Sequence, residues 1–334
     1  MNLEDIAKKA GVSRSTVSRV INNERYVSQS VRQRVLDVIE REQFQPNPAA
    51  RALVTRRSNI IGVSIPQTMN VFFGDNSYFP MLLQGIAEAV NRLDYAMLLW
   101  LAESHEVRDT FARRVIRHRQ PDGLLLTSVT DDDPLFDHLL QRNRHFVMVE
   151  SPPRQEDKVS YVTVDNVHAA ETAVNHLVEI GRRRIATITG QINIRDASER
   201  LAGYTNALQA AGLPVDENLI AYGRFDREHG YSAMRELLQH QPDAVFAGGD
   251  TAAIGAIAAL KEAGLRVPED VAVIGFDDLD VAVQANLTTI RHSVQTVGST
   301  AARLLIDIIE GRLEHPHHIV LPTELVIRGS TVRV

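Results

Sequence analysis

Residues 3–22 read LEDIAKKAGVSRSTVSRVIN, and this stretch decides the fold of the first part of the chain. Apolar residues at positions 3, 6, 7 and 10 recur at spacings of three and four, which predicts a short helix with one buried side. Gly11 follows as the residue best suited to a left-handed turn. Ser13 can then cap a second helix through its side-chain oxygen.

The second helix is predicted to have two unlike faces. At 100° per residue, Val17, Val20 and Ile21 share an apolar side. The opposite side holds small polar residues and two arginines, namely Arg14, Ser15, Ser18, Arg19 and Asn22. A third helical pattern begins near Ser28 or Ser30. Its apolar stripe consists of Val31, Val35, Val38 and Ile39.

Two short helices joined by a glycine-containing turn, with a third helix in support, favour a helix-turn-helix unit. Its second helix would enter the major groove of DNA. The alternative is an ordinary three-helix unit with a solvated face. Charge favours the DNA interpretation, because residues 1–57 hold eleven basic and six acidic residues, whereas the whole chain has a net charge of −6. A basic unit joined to a larger acidic one predicts a polyanion partner for the basic end only.

Length and composition exclude several classes of protein. At 334 residues the chain suits two or three domains, and its 44% hydrophobic and 23% charged residues are ordinary for a globular protein. It has no run of about 18 apolar residues and no secretory signal at its start. Cysteine is absent, which excludes disulfides, thiolate metal sites and a cysteine nucleophile. We expect a cytoplasmic protein.

The segment after the third helix contains two prolines. Pro46 and Pro48 are predicted to end that helix, and Asn47 can cap a further helix of about two turns. So short a helix is marginal alone in water. The segment is therefore either a linker or a helix that orders only on DNA.

Residues 2–62 as a whole resemble the DNA-binding headpiece and hinge of the LacI/GalR family of bacterial transcriptional regulators. The resemblance implies that Arg14, Ser15 and Arg19 occupy the main base-reading positions. The residues expected to contact DNA are Arg14, Ser15, Ser18, Arg19, Asn22, Arg51 and Leu53.

The same resemblance gives the hinge a specific role. It implies a hinge helix from about Pro48 to Leu53, and it implies that Leu53 pries open a central base step from the minor groove. Val54 stands beside it where some relatives carry a lysine.

The rest of the sequence alternates apolar runs with helical patterns. The predicted strands are Ile60–Pro66, Tyr95–Leu101, Gly123–Ser128, His145–Glu150, Tyr161–Val164, Arg184–Gly190, Leu219–Phe225, Ala244–Gly248 and Val271–Phe276. The predicted helices lie near residues 79–93, 105–118, 134–142, 167–180, 198–211, 228–240, 251–263 and 296–310. This alternation predicts an α/β fold with mainly parallel sheets, and nine or more strands fit two sheets better than one.

The family resemblance extends over this part and implies two lobes like those of periplasmic sugar-binding proteins. The motifs that carry it are Val164–Asn166, Glu199–Tyr204, Gly248–Ala253, Arg266–Val271, Gly275–Asp278 and Leu287–Ile290. The implied passages between the lobes lie near Tyr161–Asp165, Thr289–Ser293 and Pro322–Leu325. The predicted domains are a helix-turn-helix headpiece at 1–45, a hinge helix and linker at 46–58, and an effector-binding and dimerisation core at 59–334. Within the core, lobe 1 is predicted at about 59–161 and 292–322, and lobe 2 at about 162–291 and 323–334.

Ligands of such sheets bind beyond the carboxyl ends of the strands. The candidates at strand ends and nearby helix starts are Asp165, Arg200, Phe225, Asp250 and Asp277. With the positions that the family resemblance implies, the expected effector site is Tyr78, Phe79, Asp196, Arg200, Phe225, Asp250 and Asp277. The alternative roles are helix capping for Asp165 and Asp250 and core packing for Phe225. The chain departs from the family at residues 291–293, where Arg-His-Ser replaces a Gln-Pro pair of many relatives.

Sequence motifs of several enzyme classes are missing. There is no GxxxxGK[ST] phosphate loop, no HExxH zinc pair and no GxSxG nucleophile elbow. We interpret His315, His317 and His318 as part of a solvated loop. We therefore expect no enzyme activity, no cofactor and no metal site.

The sequence therefore predicts a sequence-specific DNA-binding transcriptional regulator, which we expect to be a repressor. Its operator affinity is expected to be controlled allosterically by a small effector, a sugar or sugar derivative. The expected partners are pseudo-palindromic double-stranded operator DNA, the carbohydrate effector and a second copy of the chain. A dimer is expected over a tetramer, because no heptad pattern precedes Val334. The alternatives are a sugar-binding transport receptor, an enzyme acting on a sugar, and a regulator that responds to a purine or another metabolite.

Overall fold

The computed structural model of the protein describes residues 1–21, 26–44, 57–66, 77–102, 110, 121–314 and 316–332. The chain divides into two compact units, Met1–Ser58 and Asn59–Val334. Each unit has its own core of buried apolar side chains. None of the helices in the described ranges is long and apolar enough to cross a membrane.

The first unit contains the three predicted helices. They are α1 (Leu3–Ala10), α2 (Arg14–Ile21) and α3 (Gln29–Arg41). Asn2 caps α1 by accepting hydrogen bonds from the backbone N–H groups of Glu4 (2.9 Å) and Asp5 (3.1 Å). Gly11 ends α1 in the left-handed conformation, with φ of 64°, as predicted. The core joins all three helices through Ile6, Ala7, Ala10, Val17, Val20, Val35 and Val38.

The end of α3 differs from the prediction. The prolines at 46 and 48 do not end this helix, because it already stops at Arg41 and Gln43 turns into the left-handed region with φ of 49°. The predicted hinge helix, Pro48–Leu53, lies outside the described residues.

The second unit contains two sheets of six strands each within the described ranges. The strands are β1 (Ile60–Pro66), β2 (Ala96–Ala102), β3 (Gly123–Thr127), β4 (Phe146–Val149), β5 (Ser160–Val164), β6 (Ile185–Ile188), β7 (Ile220–Ala221), β8 (Ala244–Ala247), β9 (Ala272–Asp277), β10 (Thr288–Arg291), β11 (His318–Leu321) and β12 (Glu324–Val326). The sheet of lobe 1 has the order β11-β5-β4-β3-β1-β2, and that of lobe 2 has β12-β10-β9-β8-β6-β7. Neighbouring strands pair parallel except β10 and β12, which confirms the mainly parallel α/β fold.

Helices cover both sheets, and they explain why the central strands read as continuous apolar runs. They are α4 (Tyr78–Arg92), α5 (Pro134–Gln141), α6 (Asn166–Glu179), α7 (Arg195–Ala210), α8 (Arg227–Leu237), α9 (Asp250–Glu262), α10 (Asp280–Gln284) and α11 (Val294–Ile309). In lobe 1, α4 and α11 approach closely at Gly85 and Gly298. A Cβ added at Gly85 would lie 2.0 Å from the carbonyl oxygen of Gln295. The helix predicted near 105–118 falls on residues that the structure does not describe, apart from Thr110.

Several elements at the edges of the sheets were not predicted or were predicted too long. The expected strand Leu219–Phe225 is reduced to β7, which has two residues. The short strands β10, β11 and β12 and the one-turn α10 are absent from the predicted set. Strands β11 and β12 are edge strands with exposed and half-buried residues, so neither forms the buried apolar run by which the other strands were found.

The chain passes between the lobes three times, close to the positions that the family resemblance implies. Asp165 connects β5 to α6, His292 and Ser293 connect β10 to α11, and a short link joins β11 to β12. The carboxyl ends of the central strands of both sheets carry the loops described next.

Candidate functional site

The polar face of α2 is exposed to solvent in the first unit. Arg14, Ser15 and Arg19 are exposed, Ser18 is half-buried, and the apolar face of the helix is packed in the core. Ser13 Oγ accepts a hydrogen bond from the backbone N–H of Thr16 (3.1 Å), as expected of an N-cap. The remaining predicted DNA contacts, which lie outside the described residues, are Asn22, Arg51 and Leu53.

Arg200 on α7 is a buried cation of lobe 2, with 6% of its surface exposed. Its Nε donates to Asn166 Oδ1 (2.9 Å), and its Nη1 donates to the carbonyl oxygen of Gly248 (2.5 Å). Its Nη2 lies 3.7 Å from Asp196 Oδ2 and 3.8 Å from Asp277 Oδ1. Each of the three guanidinium nitrogens therefore faces an oxygen, which offsets the cost of burying the charge.

Aromatic rings lie over the guanidinium group. Arg200 Cζ is 3.6 Å from the ring centre of Phe276 and 5.6 Å from that of Phe225. The prediction that Phe225 ends a strand is wrong, because β7 ends at Ala221 and Phe225 lies on the loop that follows. Its ring occupies the space above Gly190, where an added Cβ would come within 1.9 Å of it.

Asp277 is the last residue of β9 and has φ of 105°, a conformation that side-chain-bearing residues rarely adopt. Its Oδ1 accepts a hydrogen bond from Nε2 of His292 (3.1 Å), at the second passage between the lobes. Its Oδ2 accepts no hydrogen bond from the described residues. This oxygen is therefore free to accept one from a ligand.

Lobe 1 contributes aromatic rings and a carboxylate. Tyr78 and Phe79 begin α4, with their ring centres 5.3 Å apart, and the ring centre of Tyr78 lies 6.5 Å from that of His292. Glu150 follows β4, is buried, and accepts a hydrogen bond from the backbone N–H of Val129 (2.6 Å). We define the interlobe site as Tyr78, Phe79, Glu150, Asp196, Arg200, Phe225, Asp277 and His292.

Two ionisable groups of the interlobe site are shifted by their surroundings. Burial, together with the charges of Asp196, Asp277 and Glu150, raises the pKa of Tyr78 well above its ordinary value, and Arg200 opposes this more weakly. Burial raises the pKa of Asp196 to about 6, although Arg200 acts in the opposite direction. Tyr78 therefore keeps its proton and can donate a hydrogen bond, whereas Asp196 titrates near neutral pH.

Asp250 and Asp165, the other two aspartates predicted at strand ends, form hydrogen bonds within lobe 2. Asp250 is fully buried, and its carboxylate accepts hydrogen bonds from the backbone N–H of Leu279 (2.7 Å) and from Thr289 Oγ1 (2.6 Å). The capping interpretation of Asp250 is wrong, because Gly249 is the N-cap of α9. For Asp165 the capping interpretation is confirmed, since its Oδ1 accepts from the third backbone N–H of α6 (2.9 Å).

Sequence reasoning missed three residues here. Glu150 ends a predicted strand, so the strand-end signal that indicated Asp277 could have found it. Asn166 belongs to a motif of the family resemblance, and it joins Arg200 to Asp196 because its Nδ2 donates to Asp196 Oδ1 (3.0 Å). His292 was visible only as a departure from the family, and its buried Nδ1 has no hydrogen-bond partner among the described residues.

A backbone contact joins the lobes away from the three passages. Thr130 and Ile194 form an isolated antiparallel bridge, and the N–H of Asp131 donates to the carbonyl oxygen of Asn193 (3.2 Å). We call this contact the interlobe bridge. On the lobe 1 side of this bridge, Arg154 donates hydrogen bonds to the Asp131 carbonyl oxygen and to the carboxylate of Asp137 on α5.

Comparisons with known proteins agree with both units. The family model described as bacterial regulatory proteins, lacI family, matches residues 2–47, and the model described as a periplasmic binding protein-like domain matches residues 174–331. The HTH-type transcriptional regulator CelR of Thermobifida fusca is 39% identical over 336 residues, which cover 98% of this chain and 97% of CelR.

Solved structures extend the agreement to the whole fold. A transcriptional regulator CelR–cellobiose complex is similar with a TM-score of 0.78 and 36% identity, and the match covers 99% of each chain. The Lac repressor dimer bound to operator and the anti-inducer ONPF is similar with a TM-score of 0.82 and 25% identity, again over 99% of each chain. These relatives are transcriptional regulators and not enzymes. With its helix-turn-helix unit and its two-lobed α/β core, the chain belongs to the LacI family of bacterial transcriptional regulators.

Proposed function

We propose that this protein is a repressor that binds an operator through its headpiece, and that a carbohydrate bound at the interlobe site changes its operator affinity. The observation that carries the proposal is the environment of Arg200. A buried arginine lies between two carboxylates of lobe 2, Asp196 and Asp277, and the rings of Phe225 and Phe276 lie over it. Tyr78 of lobe 1 lies beside His292, which is bonded to Asp277. Such a mixture of apolar rings and a few placed polar groups is typical of a small-molecule site.

The headpiece supplies the operator contacts. Arg14 and Arg19 are exposed on α2 and can each bridge O6 and N7 of a guanine, while the small Ser15 and Ser18 allow the helix backbone close to the bases. Phosphate contacts supply most of the affinity and carry no sequence information. We add Asn22 and Arg51 to the DNA contacts on the family resemblance.

A second copy of the chain completes the operator-binding form. We assign the headpiece to residues 1–45, the hinge to 46–58 and the two-lobed core to 59–334. Two hinge helices meeting at the centre of a pseudo-palindromic site would insert paired Leu53 side chains and kink the DNA. Exposed apolar side chains support association of two cores, because Leu98 and Leu101 lie on the edge strand β2.

The ligand is proposed to bind between the two lobes. Hydroxyl groups can donate to Asp277 and Asp196 and accept from Arg200, while Phe225 and Tyr78 pack against the C–H faces of a sugar ring. Phe79 holds the Tyr78 ring in place through an edge-to-face contact. Asp250 is left out of the contacts, because its carboxylate is enclosed and both of its oxygens already accept hydrogen bonds within lobe 2.

Cellobiose is the first ligand to test, because a similar regulator is known in complex with it. A purine is the second candidate, since a planar base could stack on the ring of Phe225, which already lies beside Arg200. Either ligand would contact both lobes and thereby favour one relative orientation of them. That orientation would in turn set how closely two hinge helices can approach.

A gel-shift titration on the DNA upstream of the protein's own gene tests the proposal. The full chain should bind this DNA with a salt-dependent affinity, and cellobiose or a related sugar should change the binding while purines do not. Arg34→Ala, which removes an exposed charge of α3, serves as the control for Arg19→Ala on α2. A chain that binds sugar but no DNA would instead be a sugar-binding receptor.

A further inference from the structure

The interlobe site carries more negative than positive charge among the described residues. Arg200 is its buried arginine, with the carboxylates of Asp196 and Asp277 beside it and with His292 bonded to Asp277. The Glu150 carboxylate acts together with these two aspartates on Tyr78. All three carboxylates act on the Tyr78 hydroxyl in the same direction, and Arg200 compensates for them only in part. The segment 67–76, which precedes α4 and lies outside the described residues, contains no lysine or arginine.

The charge of Arg200 is already shared with two carboxylates of its own lobe. A phosphate or carboxylate is normally held by two parallel N–H groups of an arginine. Here Nε and Nη1 already donate to Asn166 and to the Gly248 carbonyl, and Nη2 lies between two carboxylates. The ring of Phe276 also lies 3.6 Å from Cζ and covers one face of the guanidinium group.

Most helix N-termini near the site also carry an acidic residue. A helix N-terminus is the other common anion-binding group in a protein. Asp165 caps α6, Asp196 lies in the first turn of α7, and Asp250 begins α9. Helix α4 has no acid in its first turn, but Pro80 removes one backbone N–H from that turn.

From this arrangement we infer that the ligand of the interlobe site is an uncharged polyhydroxy compound, and that the site rejects phosphorylated and carboxylated sugars. The inference rests on the proposed function and narrows its ligand class. Each hydroxyl group of a neutral sugar can donate to the free Oδ2 of Asp277 or to Asp196. A phosphate dianion or a carboxylate offers only acceptors, and it would add negative charge among three carboxylates where solvent screens little.

Calorimetric titration of the full-length protein with matched sugars tests this inference. The probes are neutral sugars, beginning with cellobiose and glucose, each beside its 6-phosphate and its aldonic or uronic acid. A neutral sugar should bind at least about ten-fold more tightly than its own anionic counterparts. Glu150→Gln and Asp196→Asn should each narrow this ratio a few-fold, whereas Asp280→Asn, an exposed acid on α10, should leave it unchanged.

The outcomes separate the inference from the proposed function. A phosphorylated or carboxylated sugar that binds as tightly as its neutral form, or more tightly, overturns the inference and leaves a carbohydrate effector standing. An unchanged ratio in both the Glu150 and the Asp196 variants overturns it too, because the discrimination would not come from these charges. If none of the neutral or charged sugars binds, the inference and the carbohydrate proposal fall together.

Discussion

The polar face of α2 and the interlobe site both depend on arginine, but in opposite environments. Arg14 and Arg19 are exposed in a unit whose core is made of short apolar side chains on the other side of the helices. Arg200 is 6% exposed, hydrogen-bonded, and placed between two carboxylates. One region carries its arginines at the solvent-exposed surface, and the other has its charge compensated within the fold.

This difference has an energetic consequence. An exposed arginine contributes little to folding, so its removal should change binding alone. A buried arginine is part of a compensated group, and its removal leaves the partner charges uncompensated in a region of low polarity. Stability and function should therefore be separable in the headpiece and inseparable at Arg200.

The largest effect is expected for Arg200→Leu. Asp196 and Asp277 lose their shared cation, so the free energy of unfolding of the core should fall by about 3–5 kcal/mol, and carbohydrate binding should be lost. Urea unfolding measures the first result and calorimetry the second. Arg195→Leu is the matched control. This exposed arginine lies on the same helix, its ion-pair partner among the described residues is Glu199, and its loss should cost less than about 1 kcal/mol. Equal losses in the two variants would refute the distinction.

An intermediate effect is expected for Arg19→Ala. Operator binding should weaken by about 1–3 kcal/mol and one guanine position should become less selective, while the unfolding free energy stays unchanged. Fluorescence anisotropy on operator and on random DNA, at fixed salt, measures the affinity and the selectivity. Urea unfolding measures the free energy of unfolding. If affinity falls equally on the two DNAs, Arg19 contacts phosphate only. A loss of headpiece stability would contradict the comparison itself.

A smaller effect is expected from the ionisation of Asp196. Its pKa is raised to about 6 from an unfolded value near 3.8, so the fold favours its protonated form. The stability that Asp196 contributes is thus fully present below about pH 3.8 and is lost as the pH rises through about 6. Asp196→Asn should gain stability relative to the wild type over this range, by on the order of 1 kcal/mol, since Asp196 keeps some contact with solvent. Unfolding free energies of both proteins from pH 4 to 7.5 measure it, and a constant difference would rule out a raised pKa.

The smallest effect is expected at the interlobe bridge. Arg154→Gln removes both hydrogen bonds by which this side chain holds the bridge loop of lobe 1. Ligand affinity should therefore weaken only a few-fold, by about 0.5–1.5 kcal/mol, which is the range of one net hydrogen bond. Calorimetry measures it, with Arg142→Gln, an exposed arginine of the same lobe, as the control. A variant that binds sugar like the wild type would show that the bridge does not support the ligand-bound form.

The two regions also differ in how far the sequence predicted them. The headpiece was predicted almost in full, because its helices are specified by local periodicity and by single residues such as Gly11 and Ser13. Strand β1 was predicted without error for a similar reason, since it is a mainly apolar run, interrupted by Ser64 and bounded by Asn59 and Gln67. In contrast, β12 depends on its pairing with β10, and local sequence does not encode that pairing.

The interlobe site was predicted only in part, because it is assembled from distant segments. The positions of Arg200 and Asp277 could be inferred from strand ends and family motifs, but their mutual distance could not. Asp250 followed the same strand-end signal and turned inward, because Leu279 and Thr289 supply donors for both of its oxygens. A strand-end aspartate is thus equally consistent with a ligand contact and with hydrogen bonds inside the lobe until the position of the opposing loop is known.

Operator titration of the wild type and of Asp277→Ala, with and without cellobiose or the neutral sugar that calorimetry shows to bind most tightly, tests the central claim that the interlobe site controls DNA binding. Asp280→Ala, on the neighbouring helix, is the control. The account predicts that the sugar changes wild-type operator affinity by about 5–150-fold, and that Asp277→Ala binds operator normally without sugar and no longer responds to it. An Asp277→Ala variant that responds at the same sugar concentration as the wild type would contradict the account.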